Sequence, residues 1–268
     1  MKSHLYTIRA ITNLHVGSGN ANYGIIDNLI QKDVLTGFPI INSSGFKGAL
    51  REHCKNWNIN DITNIFGSGP DADEMQQGNY RFFDCRLLAM PVRTDKEPYV
   101  MATCARVVNE FLEYVNLFGI EEWNNLEKIH NKNTAVAHCE NGGKGWWKGG
   151  SLEVEDFNYS NVKNVHYGVI DKLFGNNCKV LLVPDMDFDK LCDDFHLPVM
   201  ARNCLETGKE NLWYEQVLPR ESILYTIIQT PTNDEDCKFG KDMLVQIGAN
   251  SSIGYGFCKM KKYEIQCK

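Results

Sequence analysis

The sequence has no apolar run near the roughly 20 residues that a helix needs to cross a bilayer; the compact run Val180 to Val183 stops at Pro184. No membrane role is expected. Met1-Lys2-Ser3 leads straight into a strand-like segment without the apolar stretch of a secretory signal, so the expectation is a cytoplasmic protein. Ten cysteines include no C-x-x-C pair, and His53-Cys54 and His138-Cys139 are adjacent, a spacing poorly suited to a shared tetrahedral zinc. Reduced structural thiols are expected, not the disulfide framework of a short secreted domain. There is no G-x-x-x-x-G-K-[ST], and Gly17-Ser18-Gly19 meets its next glycine only at 24, so no nucleotide or organic cofactor is expected. Positive charge is scarce: 28 Lys and Arg face 34 Asp and Glu, a net −6. An all-round basic surface is thereby excluded, and any nucleic-acid face must be local. With eight prolines, no serine-rich linker and no internal repeat, the chain reads as one domain over 1–268.

What is present is an ordinary globular composition, 43% hydrophobic and 23% charged over 268 residues. LYTIRAITNLHV, 5–16, alternates β-formers with Tyr6, Ile8 and Ala10 on one side, and predicts an opening strand. GSGNANYGIIDN then has loop composition and leaves Asp27 near its end. Ser43 and Ser44 predict the cap of a helix starting near Gly45, with Lys47 and Arg51 on one face. Segments 80–93 and 99–104 read as strands, and Val108, Phe111, Leu112 and Val115 as one face of a helix. The stretch 119–165 is the least regular and is expected to be an irregular insertion. KVLLVPD reads as a buried strand, Val199 to Tyr214 as a hairpin turning at Thr207-Gly208-Lys209, and SILYTIIQ as another strand. A helix carrying Phe239, Met243 and Ile247 is expected before GANSSIGYGF and a last strand ending near Tyr263. The sum is an α+β fold rich in β.

Two glycine-rich loops, one after the first strand and one before the last, could line one groove. Glycine lets the backbone approach a phosphate chain, and a helix start at Ser43, Ser44 and Gly45 adds N–H donors with Lys47 and Arg51 as cations. Hairpin glycines and a solvated helix face would have the same composition. Asp27 is either a turn residue or a catalytic carboxylate, and His15 either a strand-end histidine or a base. Trp146 and Trp147, with Lys144 and Lys148, could stack on single-stranded nucleic acid or cover a core edge. Asp185, Asp187 and Asp189 imitate a calcium loop, but Lys190 and His196 occupy the positions of its Gly and Glu, so a helix start explains them more simply.

Taken in order, LHVGSGN, GIIDNLIQKDVLTGFPIINSSGFKGALRE, the FGS at 66–68, RFFDCRLLAMPVR, NLWYEQVLP and IGANSSIGYGF resemble the repeat-associated mysterious proteins, the RAMP superfamily. Within it the chain looks similar to the backbone subunits of the type III-B CRISPR (Cmr) effector complex, least so over 119–165. The resemblance implies a modified ferredoxin-like (RRM-type) palm with inserted hairpin and loop elements. It implies copies stacked as a filament along crRNA, other subunits of the Cmr effector complex as partners, and cleavage of paired target RNA to a 2′,3′-cyclic phosphate with a weakly bound divalent metal ion (Mg or Mn). It carries Asp27 over as the catalytic and metal-positioning carboxylate, with His15 and Glu215 as candidate helpers. Ser43, Ser44, Gly45, Lys47 and Arg51, together with Gly248, Asn250, Ser251, Gly254 and Gly256, are carried over as guide-RNA contacts. Arg202 lies in the hairpin 199–214 expected to interrupt the guide–target duplex. A scaffolding subunit without nuclease activity, or a standalone endonuclease that processes the precursor guide, are the alternatives.

Overall fold

The computed structural model describes residues 1–19, 24–56, 61–69, 72, 74–130, 133–139, 145–175, 178–204, 211–232 and 239–263. In chain order these form β1 (Lys2–Ala10), β2 (Ile40–Ile41), α1 (Ser43–Asn56), α2 (Ile62–Phe66), β3 (Arg81–Phe82), β4 (Cys85–Val92), β5 (Val100–Cys104), α3 (Ala105–Leu117), β6 (Val136–His138), β7 (Leu152–Val154), β8 (Phe157–Tyr159), β9 (Lys163–Val165), α4 (Gly168–Phe174), β10 (Val180–Val183), α5 (Asp185–Leu191), β11 (Val199–Cys204), β12 (Asn211–Gln216), β13 (Ile223–Thr230), β14 (Asp242–Gln246) and β15 (Phe257–Lys262). The architecture is α+β. Where one domain was expected, the chain divides into two compact units, Met1–Arg86 with Leu197–Lys268, and Leu87–His196. Among the described residues no helix is long and apolar enough to cross a membrane.

The first unit is built on an antiparallel sheet in the order β14-β15-β1-β13, with β3 on β13 and β2 on the first residues of β4. The alternation predicted for β1 is present: Tyr6, Ile8 and Ala10 are fully buried while Arg9 faces solvent. The strand ends at Ala10, short of the expected Val16, because the amides of Ile11 and Thr12 both turn to the Phe257 carbonyl. Helix α1 buries Phe46, Leu50 and Cys54, one per turn, and packs on α2, β3 and β14. Phe66 stacks on Phe82 at 5.2 Å, and Phe239 meets both edge-on. The helix expected around Met243 is the strand β14 instead. Met243 pairs with Met260 and Val245 with Cys258, and period-two burial puts Val245 inside and Leu244 out. Apolar residues four apart fit both periods, and the open edge of β15 decides between them. The expected serine cap also differs. The Ser43 amide donates to the Asp84 carboxylate at 2.6 Å, a partner 41 residues away that no local pattern reveals.

The second unit runs β4-β5-β10-β6-β9, with β5–β10 and β6–β9 parallel and the other pairs antiparallel. The region expected to be irregular carries β6 to β9, and Trp123, Ile129, Leu152, Val154 and Val162 are buried. Its strands are only three residues long, too short for a clear alternation. Trp147 is buried and donates to the Val162 carbonyl, and Trp146 donates to Val180, so both indole N–H groups are spent internally; Lys144 lies outside the described residues. Asp185, Asp187 and Asp189 open α5, where they meet the Arg106 amide, the Tyr159 hydroxyl and the Arg106 guanidinium. Cys54, Cys85, Cys104, Cys139, Cys192 and Cys258 are buried thiols outside any disulfide, and burial pushes Cys104 and Cys258 up to about 12. Such thiols are packing groups rather than nucleophiles.

Candidate nucleic-acid interface and cleavage site

The late glycine loop meets the segment that leads into the first one. After β1 the chain 11–15 runs beside the late loop: Ile11 donates to Phe257 at 2.8 Å, and Gly256 and Ala249 donate to Asn13 and His15 at 2.9 Å. This approach requires glycine at two places. At Gly248, φ is +83° and an added Cβ would sit 2.4 Å from the His15 carbonyl; at Gly256, φ is +78° and the Cβ would sit 2.0 Å from the Ile247 carbonyl. Gly256→Ala is therefore expected to cost about 3 kcal/mol, combining left-handed strain with a backbone clash. Gly254, at φ +82° with nothing within 4 Å of an added Cβ, should cost only about 1 kcal/mol as alanine. Thermal melts of the two variants check the difference.

The first loop returns on itself as a strap. Ser18 donates to Leu29, and Gln31 donates to Val16. The strap then pairs with β12: the Asp27 and Asn28 amides both donate to the Tyr214 carbonyl at 3.1 Å, and the Gln216 amide donates to Asn28 at 2.9 Å. On its other side β12 pairs with β11, Arg202 opposite Trp213, as the predicted hairpin; its turn, 205–210, lies outside the described residues. Asp27 is exposed, and its Oδ2 accepts the Tyr214 amide at 2.7 Å. Among the described residues its other carboxylate oxygen has no partner, which leaves an acceptor facing solvent on a backbone-fixed carboxylate.

His15 is 5% exposed and its Nδ1 lies 2.7 Å from the Gln216 carbonyl, which assigns the proton to Nδ1 and leaves Nε2 the acceptor in the neutral ring. Glu215 is 7% exposed and each oxygen has a partner: Oε2 accepts from Arg202 at 3.2 Å and Asn250 at 2.8 Å, and Oε1 accepts from the Trp213 indole at 2.9 Å. The three carboxylate and imidazole candidates thus gather on three consecutive residues of β12. Asp27 binds Tyr214, Glu215 belongs to the strand, and His15 binds Gln216.

Just before α1, the Asn42 amide donates to the side chain of Gln31 in the strap at 3.0 Å. Ser44 and Gly45 are exposed, and Ser43 and Lys47 are half-buried. Arg51 donates to the carbonyls of Gly67 and Ser68 and so fixes the FGS turn. Arg202 is turned inward, its guanidinium 5.8 Å from the Trp213 ring and 5.9 Å from Tyr255. The sequence reading missed Trp213, Tyr255 and the buried Gln216, whose side chain accepts the Ile30 amide. The adjacency of an aromatic and an acid in NLWYEQ was their only local signal.

Among the described residues no three His, Cys, Asp or Glu side chains group to hold a metal ion. Asp27 offers one open oxygen, so the residues fit no more than a weakly held, largely hydrated ion.

The RAMP superfamily family model matches residues 7–259. The chain belongs to the RAMP superfamily. It is 29% identical, over 99% of its own length and 97% of the relative's, to the CRISPR system Cmr endoribonuclease Cmr4 of Pyrococcus furiosus. The RAMP fold is shared with the crystal structure of oligomeric Cmr4 from Pyrococcus furiosus, at TM-score 0.72 and 22% identity over 99% of both chains. It is shared also with a chain of the type III-B Cmr-beta complex bound to cognate target RNA, at TM-score 0.76 and 19% identity over 98% and 97%.

Proposed function

We propose that this RAMP protein is a backbone subunit of a type III-B CRISPR (Cmr) effector complex. It binds crRNA along the late glycine loop and the start of α1, stacks with copies of itself and with other subunits, and cleaves the paired target RNA. The observation that carries the reading is the exposed Asp27 carboxylate, fixed by the backbone of the hairpin strand that also packs against the late glycine loop. The Cmr endoribonuclease relative and the complex bound to target RNA support it. A protein that compares a guide with transcripts works where transcripts are, so the reading places it in the cytoplasm.

The chemistry follows from geometry. Attack by a 2′-hydroxyl needs the attacking oxygen, phosphorus and leaving oxygen in line, which a regular A-form strand forbids. A hairpin that displaces one target nucleotide frees that ribose to rotate. A carboxylate is a weak base toward a sugar hydroxyl, so the free oxygen of Asp27 is assigned to orienting that hydroxyl and holding its hydrogen bond. A divalent ion, when bound, would neutralise charge that develops on the scissile phosphate. His15 stiffens β12 through Gln216, and Ser44, Gly45 and Lys47 offer amides and a cation to the guide backbone. Specificity comes from base pairing, so the subunit should accept any guide spacer.

The purified assembly is expected to carry a short RNA of uniform 5′ end, read by sequencing the bound RNA; an RNA-free assembly sinks the guide-binding reading. Chelating divalent ions should stop cutting and leave target binding intact, with recovery on adding Mg or Mn. Undiminished cutting in chelator would remove the metal from the mechanism. The scaffolding alternative draws on a specific observation, the single open carboxylate at this site.

A further inference from the structure

Arg202 and Asn250, both expected at the RNA, each donate a hydrogen bond to Glu215. The Arg202 side chain is only 21% exposed, and lies near both Trp213 and Tyr255. Asn250 opens the turn Ser251–Ile253 of the late glycine loop in a left-handed conformation, φ +67°, and its carbonyl holds the Tyr255 amide. Trp213 and Glu215 flank Tyr214, the residue whose amide and carbonyl hold Asp27. One buried carboxylate therefore ties the loop assigned to the guide to the hairpin assigned to the duplex, on the strand whose neighbouring residue, Tyr214, holds Asp27.

We propose that Glu215, with Arg202, Trp213 and Asn250, is a positioning lock that couples seating of the late glycine loop to the placement of Asp27, and that Arg202 is a member of this lock and not a phosphate contact. The inference rests on the cleavage reading above. Its chemistry is specific. A half-buried guanidinium and two neutral donors occupy three of the four lone-pair sites of the carboxylate, and each oxygen already carries a donor. Glu215→Gln keeps the shape but replaces one acceptor oxygen by an NH2, which must point at Trp213 or at Arg202 and Asn250. Either way donor meets donor, and the Arg202 charge loses its partner. Arg202→Met removes that unpaired charge.

The test is single-turnover cleavage of a paired target by the assembled, guide-loaded complex. Glu215→Gln and Arg202→Met are each expected to slow cutting by about 10- to 100-fold, the scale of a misplaced catalytic group, with target Kd and its salt dependence unchanged. The pH–rate profile and the ion concentration giving half-maximal rate should keep their wild-type form. The double variant should cut no more slowly than Glu215→Gln alone, since the two changes act on one interaction. Should Glu215→Gln fail to assemble, Trp213→Phe removes a single donor and is expected to slow cutting by about 3- to 10-fold with the same unchanged Kd. A salt slope lowered by about one for Arg202→Met would make Arg202 a phosphate contact. A changed pH profile or ion requirement for Glu215→Gln would place Glu215 in the chemistry, and multiplicative effects or wild-type rates would remove the lock. Asp27→Asn in the same assay separates the two ideas. If it cuts normally, the cleavage reading fails; if it is inert while the lock variants cut normally, only the lock fails.

Discussion

Asp27→Asn is expected to lower target cleavage by about 10² to 10⁴-fold while guide loading, assembly and target affinity persist. The structure makes asparagine an informative substitution. Its side-chain oxygen can still accept the Tyr214 amide, as Oδ2 does now at 2.7 Å, so the strap 27–28 stays paired with β12. What changes is the outward atom, from an anionic acceptor to an NH2 donor, and with it the ability to orient a 2′-hydroxyl or attract a cation. Asp27→Ala removes the Tyr214 contact too, so it should be equally inactive with a less ordered strap. Single-turnover cleavage and gel-shift titration on the assembled complex check both, and cutting at the wild-type rate by Asp27→Asn would favour the scaffolding alternative.

The second large effect is in the substrate. A target with one 2′-deoxy nucleotide immediately 5′ to a cut should lose that cut, by more than about 10³-fold, because the nucleophile itself is missing. Cuts elsewhere on the same strand should continue. Asp27 presents one open oxygen, which is assigned to orienting the attacking 2′-hydroxyl. The 5′ products should end in a 2′,3′-cyclic phosphate, which mass spectrometry distinguishes from a 3′-hydroxyl. Cleavage at the deoxy position, or products ending in a 3′-hydroxyl, would require a different nucleophile.

Local patterns were enough for much of the fold. The alternation of Tyr6, Ile8 and Ala10 gave β1, the spacing of Val108, Phe111, Leu112 and Val115 gave α3, and 199–214 gave the antiparallel pair β11–β12. They failed where a distant partner decides. Asp84 caps α1 from 41 residues away, and the edge of β15 makes a strand of a segment with helical spacing. In 119–165 the strands are too short to show a period, although their residues fill a core. The same division holds at the site. Two glycine loops and a lone aspartate were visible, because glycine and a carboxylate in a loop are local signals. That Arg202 and Asn250 would both donate to Glu215 was not visible, since it depends on the register of β11 on β12 and on where the late loop lands.

In the proposed arrangement the late glycine loop and the start of α1 hold the guide while the strap at Asp27 lies against the target. Photocrosslinking addresses it directly, with 4-thiouridine placed in one strand at a time of the guide–target duplex in the assembled complex, and the linked residues read by mass spectrometry. The account predicts guide crosslinks within 43–47 and 248–256 and target crosslinks within 24–28. Guide crosslinks confined to Leu87–His196, or target crosslinks that avoid the strap, would contradict it.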